Sequence, residues 1–226
     1  MWGRATLPVR ERSSRRLTAS KSSSVVLIAI SILVAAIATV LTQTAQAQKT
    51  VAPPVKSTRP SDDTQIYRNK TFGFRAAIPY GWVDRTKEMQ EGNDAAKAQV
   101  LLAVFEHPPE ATADAVNSAI VIASESVTSY PGLKKAEDYL GPLTELTTAK
   151  GFKADGDAAI IEIDARELVR ADFTKALNDK LIMYQSTLVL LTKSQIVSFT
   201  FIAGSSNELD DLIGGLHFGA AKSPAR

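Results

Sequence analysis

Side chains able to do chemistry are scarce in this 226-residue chain. It has no Cys, which removes thiol nucleophiles, disulfide frameworks and cysteine-ligated zinc or iron–sulfur sites. Only His107 and His217 offer an imidazole. His107 sits in a Pro-flanked loop and His217 among the last apolar residues, so both read as structural rather than as a base or a metal ligand. No G-x-S-x-G, P-loop, G-x-G-x-x-G or H-E-x-x-H pattern occurs. Asp155-Gly156-Asp157 has the look of a calcium-loop fragment, yet no further carboxylate follows at the required spacing, which makes it a turn. The expectation is a chain without catalytic residues, metal or cofactor, and not an enzyme.

One polar constellation remains. From Ala158 to Phe173, Ile161, Ile163, Ala165, Val169, Ala171 and Phe173 alternate with Glu162, Asp164, Arg166, Arg170 and Asp172. This reads as one long strand with a buried and a wet side, and Glu167, which breaks the parity, as a bulge. On the wet side the five charged residues would project about 7 Å apart, as a ladder able to meet a polar partner. Glu162, Asp164, Arg166, Arg170 and Asp172 are therefore the candidate binding residues, against the plainer alternative of a solvated face of mutual ion pairs.

The elements that must position this ladder follow from periodicity. Phe72, Phe74, Ala76 and Ile78 alternate as in a half-buried strand after a turn at Asn69-Lys70-Thr71. Ile78-Pro79-Tyr80-Gly81 fits a type I turn that returns Trp82 to the core. The runs 99–105 and 119–124 read as paired strands across a Pro-containing loop. Leu133, Ala136, Tyr139, Leu140, Leu143 and Leu146 have helical spacing from Gly132 to about Lys150, with Gly151 as the stop. Pro142 predicts a kink there, or two short helices with the second beginning at Pro142. Leu181–Leu191 and Gln195–Ala203 form a hairpin, with Val197, Phe199, Phe201 and Ala203 on the core face. A capping box, Ser205-Ser206-Asn207-Glu208, opens a terminal helix carrying Leu209, Leu212, Ile213 and Leu216.

Ahead of this domain stands a leader. Up to Ala47 there are six basic residues and one acidic, followed through the rest of the chain by 20 basic and 23 acidic, so the basic character belongs to the leader. A net negative domain excludes a nucleic-acid partner. The basic stretch to Lys21, the apolar run of residues 25–41 and Ala45-Gln46-Ala47 have the three parts of an export signal. Residues 1–47 are thus a signal peptide cleaved after Ala47 or an uncleaved membrane anchor that contacts the bilayer through 25–41, by the general or the twin-arginine route. Both place the domain outside the cytoplasm, periplasmic or secreted. Residues 48–64 are a Pro-rich linker, 65–219 the folded α+β domain and 220–226 a tail.

Several strands, a helix, three more strands and a terminal helix predict an α+β domain whose mainly antiparallel sheet is covered by helices. Tyr67, Asn69, Gly73-Phe74, Ile78-Pro79 and Gly81-Trp82 carry a resemblance. So do Arg170-Ala171-Asp172-Phe173, the closing hairpin and a terminal helix ending in Leu216-His217-Phe218. Together, over about Gln65 to Gly219, they resemble the PsbP-like family of extrinsic photosystem subunits and bacterial exported proteins. The resemblance implies an α/β/α sandwich, shared with a Ran-binding import factor, and a non-catalytic module with a protein partner on the extracytoplasmic side. An exported hydrolase or small-ligand carrier built from scattered loop residues is the alternative.

Overall fold

Asn69 sets the first turn. In the computed structural model, which describes residues 65–90, 98–108, 115–192 and 194–219, strand β1 (Gln65–Asn69) ends where the Asn69 carbonyl accepts from the Gly73 amide at 3.0 Å and its Oδ1 from the Phe72 amide at 3.0 Å. The chain then returns antiparallel as β2 (Phe74–Ile78), whose Phe74, Ala76 and Ile78 are buried at period two as expected. β1 has no such alternation, since it is an edge strand with half-exposed or exposed side chains, and the sequence pattern gave no strand there. The following turn lies one residue later than expected. Its bond runs from the Trp82 amide to the Pro79 carbonyl, and Gly81 occupies the third position at φ +84°, a conformation that a side chain would strain.

The chain continues through β3 (Val83–Asp84), α1 (Thr86–Gln90), β4 (Ala98–Phe105) and β5 (Ala119–Ser126). Two 3₁₀ turns, Val127–Ser129 and Ala136–Tyr139, lead to α2 (Leu140–Thr148). Then follow β6 (Lys153–Ala154), β7 (Ala159–Ile163), β8 (Arg166–Ala176), β9 (Ile182–Leu191) and β10 (Gln195–Ala203). The helix α3 (Ser206–Gly214) and strand β11 (Leu216–Phe218) close the domain. The large sheet is antiparallel in the order β3-β4-β5-β10-β9-β8-β6, with β7 also on β8, and a second sheet has the order β1-β2-β11. This is the expected α+β architecture, a mainly antiparallel sheet covered by helices.

One face of the large sheet meets the small sheet and α3. Phe199, fully buried, packs edge-on to Phe74 and Phe218 at ring separations of 5.0 and 5.9 Å, with Leu188, Phe201, Leu209 and Ile213 around them. The opposite face packs Phe173, Met183 and Ile202 with Met89 of α1, and Val189 and Ile196 with Tyr139 and Leu143 beneath α2. Trp82, expected in the core, is only half-buried at the margin of the first cluster, and Tyr80 is exposed.

Four local expectations are corrected. The segment Ala158–Phe173 is not one strand. It folds back at Asp164 (φ +47°) and Ala165 (φ +62°) into the β7–β8 hairpin, with Ile163 opposite Arg166 and Ile161 opposite Leu168. The parity break at Glu167 was the signature of this two-residue turn, which puts odd residues of β7 and even residues of β8 on the same face. The second helix begins at Leu140 rather than Pro142, because Pro is tolerated in a first turn whose amides need no intrahelical acceptor. The terminal helix stops at Gly214, and Leu216-His217-Phe218 is a strand on β2. Gly215 makes that approach possible, since a Cβ there would lie 3.0 Å from the Cβ of Ala77. Only half of the capping box forms: Ser205 Oγ accepts from the Glu208 amide, while the Glu208 carboxylate accepts from the Gly204 amide and Ser118 Oγ.

Among the described residues no helix is long and apolar enough to cross a membrane. The run 25–41, the cleavage point, the linker 48–64 and the tail 220–226 lie outside them.

Candidate functional site

The hairpin turn disperses the predicted ladder. Glu162 is exposed and stands opposite Glu167, not in line with Arg170. Asp164 sits at the tip, where its Oδ2 accepts from the Phe218 amide at 3.1 Å and lies 3.0 Å from His217 Nδ1. Those contacts, the amide bond first, hold the Asp164 carboxyl below its usual range. They also account for His217, which pins the hairpin tip to β11. His107 is placed by paired bonds between its backbone and the Asn117 amide group, at 2.9 and 3.0 Å. Asp155-Gly156-Asp157 forms a bend with Gly156 at φ +79°. Among the described residues, no three carboxylates or imidazoles gather in a way that could hold a metal.

Arg170 and Asp172 do come together. Arg170 Nε donates to both Asp172 oxygens at 2.9 Å, and its Nη2 reaches Asp210 of α3 at 3.2 Å. Asp155, Ser206 and Tyr184 join them around a small cleft of about 220 Å³. The guanidinium is thus already committed to two carboxylates, and the group ties β8 to α3 as a structural clamp.

Arg166 is placed differently. It opens β8 directly after the turn, and its guanidinium makes no hydrogen bond or ion pair with any described residue. It lines a cleft of about 980 Å³ between the small sheet and one end of the large one. Tyr67, Asn69, Thr71 and Phe72 form one wall, and Gln99, Leu101 and Ser124 of β4 and β5 another. The end of β9 and the start of β10 supply Leu190, Leu191, Thr192, Ser194 and Gln195. Some of these polar groups are used locally: Asn69 Nδ2 donates to the Tyr67 hydroxyl, and Thr192 Oγ1 bonds the backbone of Gln195. Among the described lining residues Arg166 is the only charged one. Chemically the cleft offers amides, hydroxyls and one unpaired cation, a surface for recognition rather than for bond making. No motif marks these polar residues in the sequence, because they come from strands and turns far apart in the chain.

A second group also escaped sequence reasoning. Glu125, at the end of β5, is 3% exposed. Its Oε1 accepts from the Tyr139 hydroxyl at 2.7 Å and its Oε2 from the Tyr130 hydroxyl at 2.5 Å, and the two rings meet edge-on at 5.1 Å. Burial raises the Glu125 pKa, partly offset by the two hydroxyl bonds, and burial next to Glu125 raises both tyrosines. Parity gave no signal for it, since β5 is buried on both faces.

No family model matches the chain, and no curated protein does. Solved structures do. CyanoP, the cyanobacterial PsbP of Synechocystis sp. PCC 6803, is similar over 73% of this chain and 98% of its own, at 14% identity and a TM-score of 0.45. The likeness is one of PsbP-like fold. The Ran-binding protein Mog1p of Saccharomyces cerevisiae is similar over 70% of this chain and 96% of its own, at 11% identity and a TM-score of 0.42. LpqN, a Mycobacterium tuberculosis protein involved in cell envelope biogenesis, is similar over 70% and 91%, at 12% identity and a TM-score of 0.41. Such levels reach the arrangement of elements and no further.

Proposed function

We propose that residues 65–219 act as a non-catalytic binding domain, exported by the leader, which holds a protein partner on the extracytoplasmic side of the membrane. The observation that carries this is the polar cleft around Arg166. Pockets for small molecules are lined mainly by apolar and aromatic side chains that enclose the ligand. Here Thr71, Gln99, Ser194 and Gln195 present groups that both donate and accept, which is what the backbone of a docked polypeptide requires. The basic and apolar leader supports export. The test is a photo-crosslinking side chain, p-benzoylphenylalanine, placed at Thr71, exposed on the rim of the cleft, in the intact chain in living cells. A discrete protein adduct formed on the extracytoplasmic side is expected. Adducts to small molecules or lipid alone, or none, would overturn the proposal.

A further inference from the structure

Arg166 combines several features that a solvated surface arginine does not need. The two residues before it, Asp164 and Ala165, both have left-handed backbone angles, φ +47° and +62°, although neither is Gly. Such a conformation costs free energy at a non-glycine residue and persists where the surroundings enforce it. The enforcement is on the spot: Asp164 is bonded to the Phe218 amide and to His217, so the hairpin tip is fixed against β11. What the tip delivers is a guanidinium at the border of the cleft, with no carboxylate bonded to it and none among the described lining residues. Arg170, four residues along the same strand, is held by Asp172 and Asp210, so the contrast is not a matter of arginine placement in general.

Arg166 is exposed, and its unpaired guanidinium, carried on a fixed turn, presents a planar fork of donors suited to two oxygens of one anion. Around it the cleft supplies neutral amides and hydroxyls that match the alternating donors and acceptors of an extended chain. We propose that Arg166 anchors a carboxylate side chain of the partner, so that the cleft selects a polypeptide segment carrying Asp or Glu among small polar residues. This rests on the cleft being the partner site, and it adds the chemistry that the site selects.

The probe is a pair of capped peptides differing at one position, Ser-Gly-Thr-Glu-Thr-Gly-Ser and its Gln twin, titrated into the isotope-labelled intact chain in mild detergent and followed by NMR. The Glu peptide should shift the Arg166 Nε–H resonance together with Gln99 and Gln195, and bind about tenfold tighter than its twin, the ratio expected when charge-assisted bonds replace neutral ones. Arg166→Gln should abolish that preference while leaving the cleft shifts of the Gln peptide intact, and Arg166→Lys should restore part of it. Equal binding of the two peptides by the native chain would overturn the carboxylate anchor while leaving the cleft as a partner site. Absence of any cleft shift would overturn both. Acetate matching the Glu peptide would overturn the polypeptide source in favour of a free carboxylate. Inorganic phosphate binding more tightly than either would replace the carboxylate with a phosphate.

Discussion

Removing a single oxygen at Tyr139 should destabilise the domain far more than its size suggests. Tyr139 is 1% exposed and donates to Glu125 Oε1 at 2.7 Å, and Glu125 has no cationic partner among the described residues to hold its charge. A hydrogen bond to a charged group contributes about 1.5–3 kcal/mol, and water cannot replace the lost donor while the ring still fills the site. Tyr139→Phe should therefore cost about 2–3 kcal/mol where Glu125 is ionised. Tyr130 is only half-buried, and Tyr130→Phe should cost less, about 1 kcal/mol. Glu125→Gln removes the buried charge, keeps an acceptor and adds donors that the hydroxyls can turn to meet, so it should cost less than Tyr139→Phe. The pH dependence has a definite sign. The folded state holds the Glu125 proton more tightly than the unfolded state, whose value is near 4.5. The stabilisation from this group is thus fully present below 4.5 and is lost as pH rises through the raised folded value. Native stability should fall relative to Glu125→Gln across that window. Urea unfolding of the intact chain, followed by circular dichroism from about pH 4 to about pH 8, measures all of this. A Tyr139→Phe cost under about 0.5 kcal/mol, or a native chain that gains on Glu125→Gln as pH rises, would refute the reasoning.

The remaining expectations concern stability and use the same unfolding assay. Ala165→Gly should stabilise by about 0.5–1 kcal/mol, because only the native residue is strained at φ +62°, and a loss would mean that the turn is not left-handed. Phe199→Ala should cost about 3–5 kcal/mol, since the ring is fully buried against Phe74 and Phe218, whereas half-buried Trp82→Ala should cost about 2 kcal/mol or less. Arg170→Ala should cost about 1 kcal/mol, above the median for an exposed pair because the guanidinium is partly covered and bonded to both Asp172 and Asp210, and a null effect would remove the clamp between β8 and α3.

The strands over 98–105, 119–126, 182–191 and 195–203 were legible because long apolar, β-branched runs decide a buried strand locally. The β7–β8 hairpin was not. Its turn uses Asp164-Ala165 in place of the Asn-Gly or Asp-Gly that marks such turns, and contacts from β11 hold it in place of local preference. That one error scattered the ladder: Arg170 and Asp172 remained partners, Glu162 moved to the outer strand, Asp164 became the pin and Arg166 faced the cleft. The cleft itself could not be read, since Tyr67, Gln99 and Gln195 meet only through the packing of two sheets. Glu125 was not marked by parity in a strand buried on both faces, and the helical spacing that included Tyr139 did not show that its hydroxyl would meet Glu125.

The central claim, that the cleft holds the partner, is tested most directly by filling it. Gln99 is exposed on β4 and lines the cleft, whereas Tyr80, 83% exposed at the tip of the β2–β3 turn, lies outside it. Co-purification of the crosslinked partner from solubilised envelopes should fail with Gln99→Trp and persist with Tyr80→Ala, both chains being folded by circular dichroism. A partner retained by Gln99→Trp, or lost with Tyr80→Ala, would contradict the account.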